Sequence, residues 1–396
     1  MCRPFEGIRV IDATHVLAGP FAAYQLAVMG ADVIKVENPT LMDQVREQGP
    51  DEALNLAGMG TYYLTQGANK RSVTLDLNQE QGRQLFKQLV ANADVLIENY
   101  RAGAFKALGL GYDELSQLNE KLIYCSMTAF GQQGPRSNQT GYDMQIQATS
   151  GIMAATGTPE VNPIKVGPPV VDYATGSMGA LAISSALFQR EQTGRGQYID
   201  LAMLDVALVL MGADATNYSW SGKLPEPAGN DMPLAGARCY QTKSGQLMVG
   251  AMNRQQHRRL FNYFGYPEIA AITDYPPRFE QGDKHAEILQ EKLLTQSAAE
   301  WEAELQAQHI PAARVRNIAE ALDDEQLNAR HVTHQFENFR NTGKPISVPV
   351  AAFKFAHGTP KVDSEPPTHG QHTDEVLREL GCSEDEIRNY RQQGVI

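Results

Sequence analysis

The sequence predicts an α/β protein, a mainly parallel sheet with helices on both faces, followed by a smaller α+β domain. Short strand-like apolar runs alternate with helix-like periodic segments through the first half. The texture changes near residue 223, where Lys223-Leu224-Pro225-Glu226-Pro227 opens a loop. The 396 residues are enough for two or three domains of roughly 100–200 residues each.

Residues 8–12 (IRVID) read as the first strand, and 21–29 as a helix stopped by Gly30. Residues 32–37 (DVIKVE) form the second strand. A helix over 81–93 places Leu85, Phe86 and Leu89 on one face, and strands follow at 94–98 and 121–126. Residues 173–189 form a long helix rich in Gly and Ala, which predicts close packing. Thr193-Gly194-Arg195-Gly196 turns the chain into a strand at 197–201. Residues 245–330 hold a strand at 247–251 and several amphipathic helices. Strand-like sequence returns at 350–355, and the tail from His372 is helical. The domains read as 1–222 with 331–396 for the large one and 223–330 for the small one.

Composition excludes several classes. With 42% hydrophobic and 20% charged residues the chain is ordinary globular sequence. A net charge of −12 disfavours polyanionic partners such as nucleic acid or a membrane surface. Cys2, Cys125, Cys239 and Cys382 are far apart and form no CxxC pair, so neither a disulfide framework nor a zinc site is expected. The opening residues lack a basic-then-apolar leader, and no apolar run approaches the roughly 18 residues of a membrane span. The expected location is the cytoplasm.

The opening strand-helix-strand ends in Glu37, as a dinucleotide-binding unit would. Its turn, residues 12–20, has one glycine where GxGxxG needs three, which disfavours an NAD dehydrogenase but leaves a Rossmann-like topology. No GxSxG elbow and no GxxxxGK[ST] loop is present. His15 in that turn is either a contact at a site mouth or a histidine bonded to backbone. Asp172 follows the proline-stiffened Gly167-Pro168-Pro169 and starts the long helix, a place for an N-cap that equally favours an ionised, nucleophilic carboxylate. Lys35, Lys70, Arg71, Arg101, Lys106 and Arg136 fall near strand ends or in loops, where an anionic ligand binds an open α/β sheet. Each is otherwise a solvated charge. His331 and His334 lie three apart in a helix-like stretch without a third ligand, and no metal is expected.

At this point the residues resemble a family, the class III CoA-transferases (CaiB/BaiF type), which include formyl-CoA and carnitine CoA-transferases. The resemblance runs nearly end to end: GIRVIDATHVLAGPFAA, GADVIKVE, NKRSVTLDL, ADVLIENYRAGA, VDYATGSMGALAISSAL, TGRGQYIDLAML and GQHTDEVLRELG, in that order. It implies a large Rossmann-like domain built from both chain ends, a small domain inserted late, and an interlocked homodimer. It implies that Asp172 is the nucleophile, forming an acyl-aspartyl anhydride and then an aspartyl-CoA thioester, with CoA thioesters as substrates and no resident cofactor. Val16, Leu75, Asn99, Tyr100, Tyr142 and Met203 stand where the family contacts CoA or lines its site, and Lys106 stands one residue before a basic contact of the family that it is expected to supply. Leu17 and Asn38 replace a glutamine and an arginine of formyl-CoA transferase, and its glycine run is absent, so a different acceptor pocket is implied. The stretch 228–236 is the lid candidate, or an ordinary linker.

The same fold hosts α-methylacyl-CoA racemases, which pair an aspartate at the Asp172 position with a histidine near Gly141-Tyr142-Asp143. Tyr142 stands there instead, and tyrosines ordinarily titrate near pH 10, which suits a proton-abstracting base poorly. Asp143 is the other candidate base. A CoA-binding protein without catalysis is the remaining reading, against which the presence of Asp172 counts.

Overall fold

The computed structural model describes residues 2–396. The chain divides into two compact units. One contains the residues up to Met153, Lys165–Leu224 and Ala329–Ile396; the other contains Ala154–Ile164 and Pro225–Asn328.

The first unit is built on one six-stranded sheet: β1 Arg9–Ala13, β2 Asp32–Glu37, β3 Lys70–Thr74, β4 Val95–Glu98, β5 Ile123–Thr128 and β6 Gln197–Ala202. The spatial order is β3-β2-β1-β4-β5-β6 and every neighbouring pair is parallel. This is the doubly wound order, with its reversal between β1 and β4. The main helices of the unit are α1 (Ala18–Val28), α2 (Glu80–Ala91), α3 (Asp143–Ser150), α4 (Val170–Thr193), α5 (Met203–Leu210), α6 (Gly212–Ser221), α7 (Thr373–Glu379) and α8 (Glu384–Gln392).

Successive strand residues point to opposite faces. Ile11, Ile34, Val73 and Leu96 therefore pack with α2, α7 and α8, through Leu85, Phe86, Leu377 and Ile387. Val10, Val33, Val95 and Ile123 pack with α1 and α4, through Ala22, Leu26, Ile183 and Leu187. The expected close packing of the long helix is found where α4 crosses α1. A Cβ on Gly176 would lie 2.6 Å from the Ala18 carbonyl oxygen, and one on Gly179 3.3 Å from the Ala22 methyl.

Strand 32–37 has the bounds read from the sequence, and the other large-sheet strands read there shift by one or two residues. α4 starts three residues earlier and ends four later than 173–189. Three expectations are corrected. β3 starts at Lys70, in a stretch read from the sequence as offering ligand cations or solvated charges and not as a strand. The late strand is Ile346–Pro349, paired antiparallel with Thr333–Phe336, and residues 351–355 lie outside any strand. His331 has a left-handed φ of 51° and His334 lies in a strand, so the two share no helix face.

In the second unit Cys239–Gln241, Gln246–Val249 and Ala312–Arg314 form a small antiparallel sheet. Leu247, Phe261, Leu289, Trp301 and Leu305 form its core with the surrounding helices. Within 228–236, Leu234 and Ala235 are buried, and Gly236 admits the Ala251 carbonyl to 2.5 Å of where a Cβ would stand.

Candidate active site

Where the strand order of an open sheet reverses, the loops leaving the central strands diverge and leave a crevice at their carboxyl ends. A cleft of about 620 Å³ lies there. It is lined by loops 15–18 after β1, 38–44 after β2 and 99–102 after β4, by 127–129, by 137 and 139–142, and by Asp172 and Met203.

Its floor is a gripped loop. Val16 has φ 70°, a conformation that costs a β-branched residue about 1–3 kcal/mol. Surrounding bonds hold it. The Val16 amide donates to both Asp43 carboxylate oxygens (3.1 and 3.3 Å), and its carbonyl accepts from Gln66 Nε2 (2.6 Å). The Asn99 side chain accepts from the His15 amide (2.9 Å) and donates to the His15 carbonyl (2.8 Å).

Beneath the loop lie buried charges. Lys35 Nζ pairs with Asp43 (3.1 Å) and donates to the Thr14 carbonyl (2.8 Å). Lys70 pairs with Asp12 (2.8 Å), whose other oxygen accepts from the Thr14 amide. Lys35 and Lys70 are thus corrected from ligand cations to supports of the floor, because each is fully buried against its own carboxylate.

Asp172 is the third residue of α4, and Pro169 holds the N-cap position without a side-chain bond. The N-cap reading of Asp172 is therefore corrected. Asp143, buried at the start of α3, does that work from another helix. Its Oδ2 accepts from the Val171 amide (2.8 Å) and the Asp172 amide (3.1 Å), and its Oδ1 accepts from Gln147 Nε2. Gln147 Oε1 accepts from the Val166 amide (2.9 Å). With its α4-side amides satisfied from outside, Asp172 turns its carboxylate to the cleft, where among the described residues it has no hydrogen-bond partner. Burial and then the Asp143 charge push Asp172 up to about 7, outweighing the pull of the helix terminus toward the anion. Sequence reasoning weighed Asp143 only as a base. Its signal as a cap was an aspartate at a helix start, with nothing to say that the helix capped would be a different one.

The structure brings together Val16, Asn99, Tyr100, Tyr142, Met203 and Asp172 around the cleft. It does not bring Leu75 or Lys106 there. Leu75 is in the core with its amide on the Glu37 carbonyl, and Lys106 pairs with Asp113 (3.1 Å) on the surface. Arg71 is held by Asp32, Glu375 and Glu379. Arg136 stacks on Phe130 (4.2 Å) and donates to Gln139. Arg101 remains as the arginine of the lining. Of the two readings of His15, the structure places the ring at the cleft, and the turn is fixed through the backbone of His15 and the Asn99 side chain rather than through the ring. The ring is edge-on to Tyr100. Burial, with Lys35 adding to it, lowers its pKa and so favours the neutral imidazole. Leu17 and Asn38 also line the cleft.

The model of CoA-transferase family III matches residues 5–373. The chain belongs to this family. This family III CoA-transferase is 36% identical to the succinate–glutarate CoA-transferase of Agrobacterium fabrum, across 95% of this chain and 96% of the relative. It is 33% identical to the succinyl-CoA:glutarate CoA-transferase of Mus musculus, across 100% of this chain and 90% of the other. A solved CaiB/BaiF family structure from Brucella suis superposes with a TM-score of 0.83 at 33% identity, covering 96% of this chain and 100% of that one. The CoA-transferase thus uses a doubly wound sheet without the dinucleotide fingerprint. Among the described residues no helix is long and apolar enough to cross a membrane.

Proposed function

We propose that this CoA-transferase acts through Asp172 as a covalent nucleophile and exchanges CoA between small dicarboxylic acids. The supporting observation is an unpartnered, half-buried carboxylate facing a cleft at the switch point. An Asp172 oxygen attacks the thioester carbonyl carbon, the C–S bond breaks, and CoA thiolate leaves an acyl-aspartyl anhydride. The thiolate then attacks the aspartyl carbonyl and expels the donor carboxylate, giving aspartyl-CoA. The acceptor carboxylate attacks that thioester and releases the thiolate. Attack of the thiolate on the acceptor acyl carbon forms the new acyl-CoA and frees Asp172. One difficult exchange becomes a series of easier ones, and atoms balance without another reactant.

The Ala18 and Gly19 amides at the start of α1 precede its first bond, which runs from the Phe21 amide to the Leu17 carbonyl (2.8 Å), and Ala18 lines the cleft. They supply donors for the oxyanion of each tetrahedral intermediate. The dicarboxylic substrate class is supported by the names of the relatives and by Arg101, a cation for a second carboxylate. A racemase is not favoured. Both Asp143 oxygens already accept hydrogen bonds, and Tyr142 replaces the second base. The test is to incubate the protein with succinyl-CoA without acceptor, quench with hydroxylamine, and map modification by mass spectrometry. Label at Asp172 is expected; label elsewhere, or none, sinks the covalent reading.

A second copy of the chain completes the reading. Met178, Leu181 and Phe188 on α4, Leu208 and Val209 on α5, and Trp220 on α6 are exposed apolar side chains, more than an isolated soluble surface carries in one region. Sedimentation is expected to give twice the 43.5 kDa chain mass, and a stable monomer would rule this out.

A further inference from the structure

Beside the cleft lies a buried carboxyl that the proposed chemistry does not use. Glu98 ends β4 and is 3% exposed. Its Oε2 accepts from the Tyr100 amide (2.9 Å), closing the turn that carries Asn99, Tyr100 and Arg101 to the cleft wall. Gln132 holds the far end of that turn. Its Oε1 accepts from the Gly103 amide (3.3 Å), its Nε2 donates to Ser126 Oγ (2.7 Å), and its amide donates to Asp200 (3.1 Å). Through Asn99 the turn grips His15, next to the strained Val16.

The groups facing Glu98 are the Ser126 hydroxyl, Tyr124 and Cys125 on β5, Asp200 and Tyr198 on β6, and Tyr100 on its own turn. None is a cation, and none of the ion pairs among the described residues includes Glu98. A buried carboxylate without a counter-charge is costly. Burial first, with Asp200 adding to it, pushes Glu98 up to about 7 despite the Ser126 and Tyr100 hydrogen bonds. The neutral carboxyl keeps a carbonyl oxygen for the Tyr100 amide. The ionised one sets an uncompensated negative charge under the wall of a cleft that takes a polyanionic thioester.

We propose that Glu98 is a positioning residue of this CoA-transferase: its carboxyl holds the turn of Asn99, Tyr100 and Arg101, and its ionisation weakens binding of CoA. The inference rests on CoA binding in this cleft, not on the covalent role of Asp172.

The experiment removes the other titrating carboxylate by using Asp172→Asn protein, so that failure of the covalent reading leaves the result unaffected. CoA affinity is measured by calorimetry from about pH 6 to about pH 8.5. The expected result is a fall of about three- to tenfold across that range, reduced in Asp172→Asn/Glu98→Gln protein, which keeps the acceptor but cannot ionise. The CoA phosphate titrates identically in both, so the difference in slope belongs to Glu98. Glu98→Ala in the same background, lacking the acceptor, is expected to bind weakly at every pH. Equal slopes with and without Glu98→Gln, or a loss in folded Glu98→Gln protein at all pH values, overturns the charge role. Alanine binding as well as glutamine overturns the holding role. Should the variants not fold, Asp172→Asn protein itself decides. Binding of dephospho-CoA, which lacks the titrating phosphomonoester, is expected to take up part of a proton near pH 7, and no uptake overturns the proposal.

Discussion

Asp172→Asn is expected to reduce CoA transfer on the order of 10³- to 10⁶-fold, the range seen when a covalent nucleophile is removed. The amide has nearly the volume of the carboxylate, and the Asp143 bonds go to the backbone of residues 171 and 172, so the helix start is retained. Affinity for CoA is therefore expected to stay within a few-fold near pH 6. Steady-state rates together with calorimetry check both halves. A variant that transfers CoA at even a tenth of the native rate would remove Asp172 from the mechanism. The native enzyme carries a matching pH signature. A carboxyl raised to about 7 is protonated below that pH and ionised above it, and only the ionised form attacks a thioester. On the acid side kcat/KM is expected to fall about tenfold per pH unit below about 7. Glu98, also raised to about 7 but needed neutral, bends the profile down on the alkaline side. The sum is a bell whose alkaline limb is lost in Glu98→Gln and whose acid limb persists.

Arg46→Met is expected to cost about 3–5 kcal/mol of stability near pH 7, since it leaves a buried carboxylate without its partner. Arg46 and Glu37 form a two-pronged pair (2.7 Å on both oxygens), with both side chains at or below 1% exposure. Arg46 also donates to the Gly58 and Pro367 carbonyls (3.2 Å each) and lies over the Tyr63 ring at 3.7 Å. Burial alone would raise Glu37, but Lys35 and the Arg46 fork outweigh it and bring it down to about 2. The sign follows. Stability from this depressed carboxylate is fully present above its unfolded value, roughly 4.3, and is lost progressively as the pH falls from there through about 2. Denaturant midpoints near neutral pH should thus separate native and variant proteins widely. Adding Glu37→Leu to Arg46→Met should recover part of the loss, because a well-packed apolar pair can replace a buried ion pair at little cost. Equal midpoints for native and Arg46→Met protein would show that the pair is not buried as described.

Much of the candidate site was legible because its signals are local. Asp172 stands behind a proline-stiffened turn at the start of a long helix, and Asn99 and Tyr100 follow directly on the strand of residues 95–98, at the sheet end where open α/β folds bind ligands. What stayed hidden depends on pairing. Lys35 and Lys70 look in sequence like the other cations near strand ends, yet they are charged struts under the floor, while Arg101 lines the cleft. Strand β3 went unread because KRSVT opens with two cations, and only the Asp12 and Asp32 carboxylates of neighbouring strands make that sequence tolerable in a sheet.

The sequence by itself determined the α/β class, the order of most strands and helices and the family resemblance. Alternation and turn chemistry act over a few residues, and ordered motifs survive without coordinates. Only the tertiary structure decided which charges are buried in pairs, that Asp143 rather than Asp172 caps the long helix, that Asn99 clasps His15, and that Glu98 lies without a counter-charge. Each of these depends on a distance of a few ångströms between residues 8 to 84 positions apart, or on a partner's absence from the one place the fold leaves for it. In a buried, low-dielectric setting such distances decide whether a charge is a support, a nucleophile or a liability.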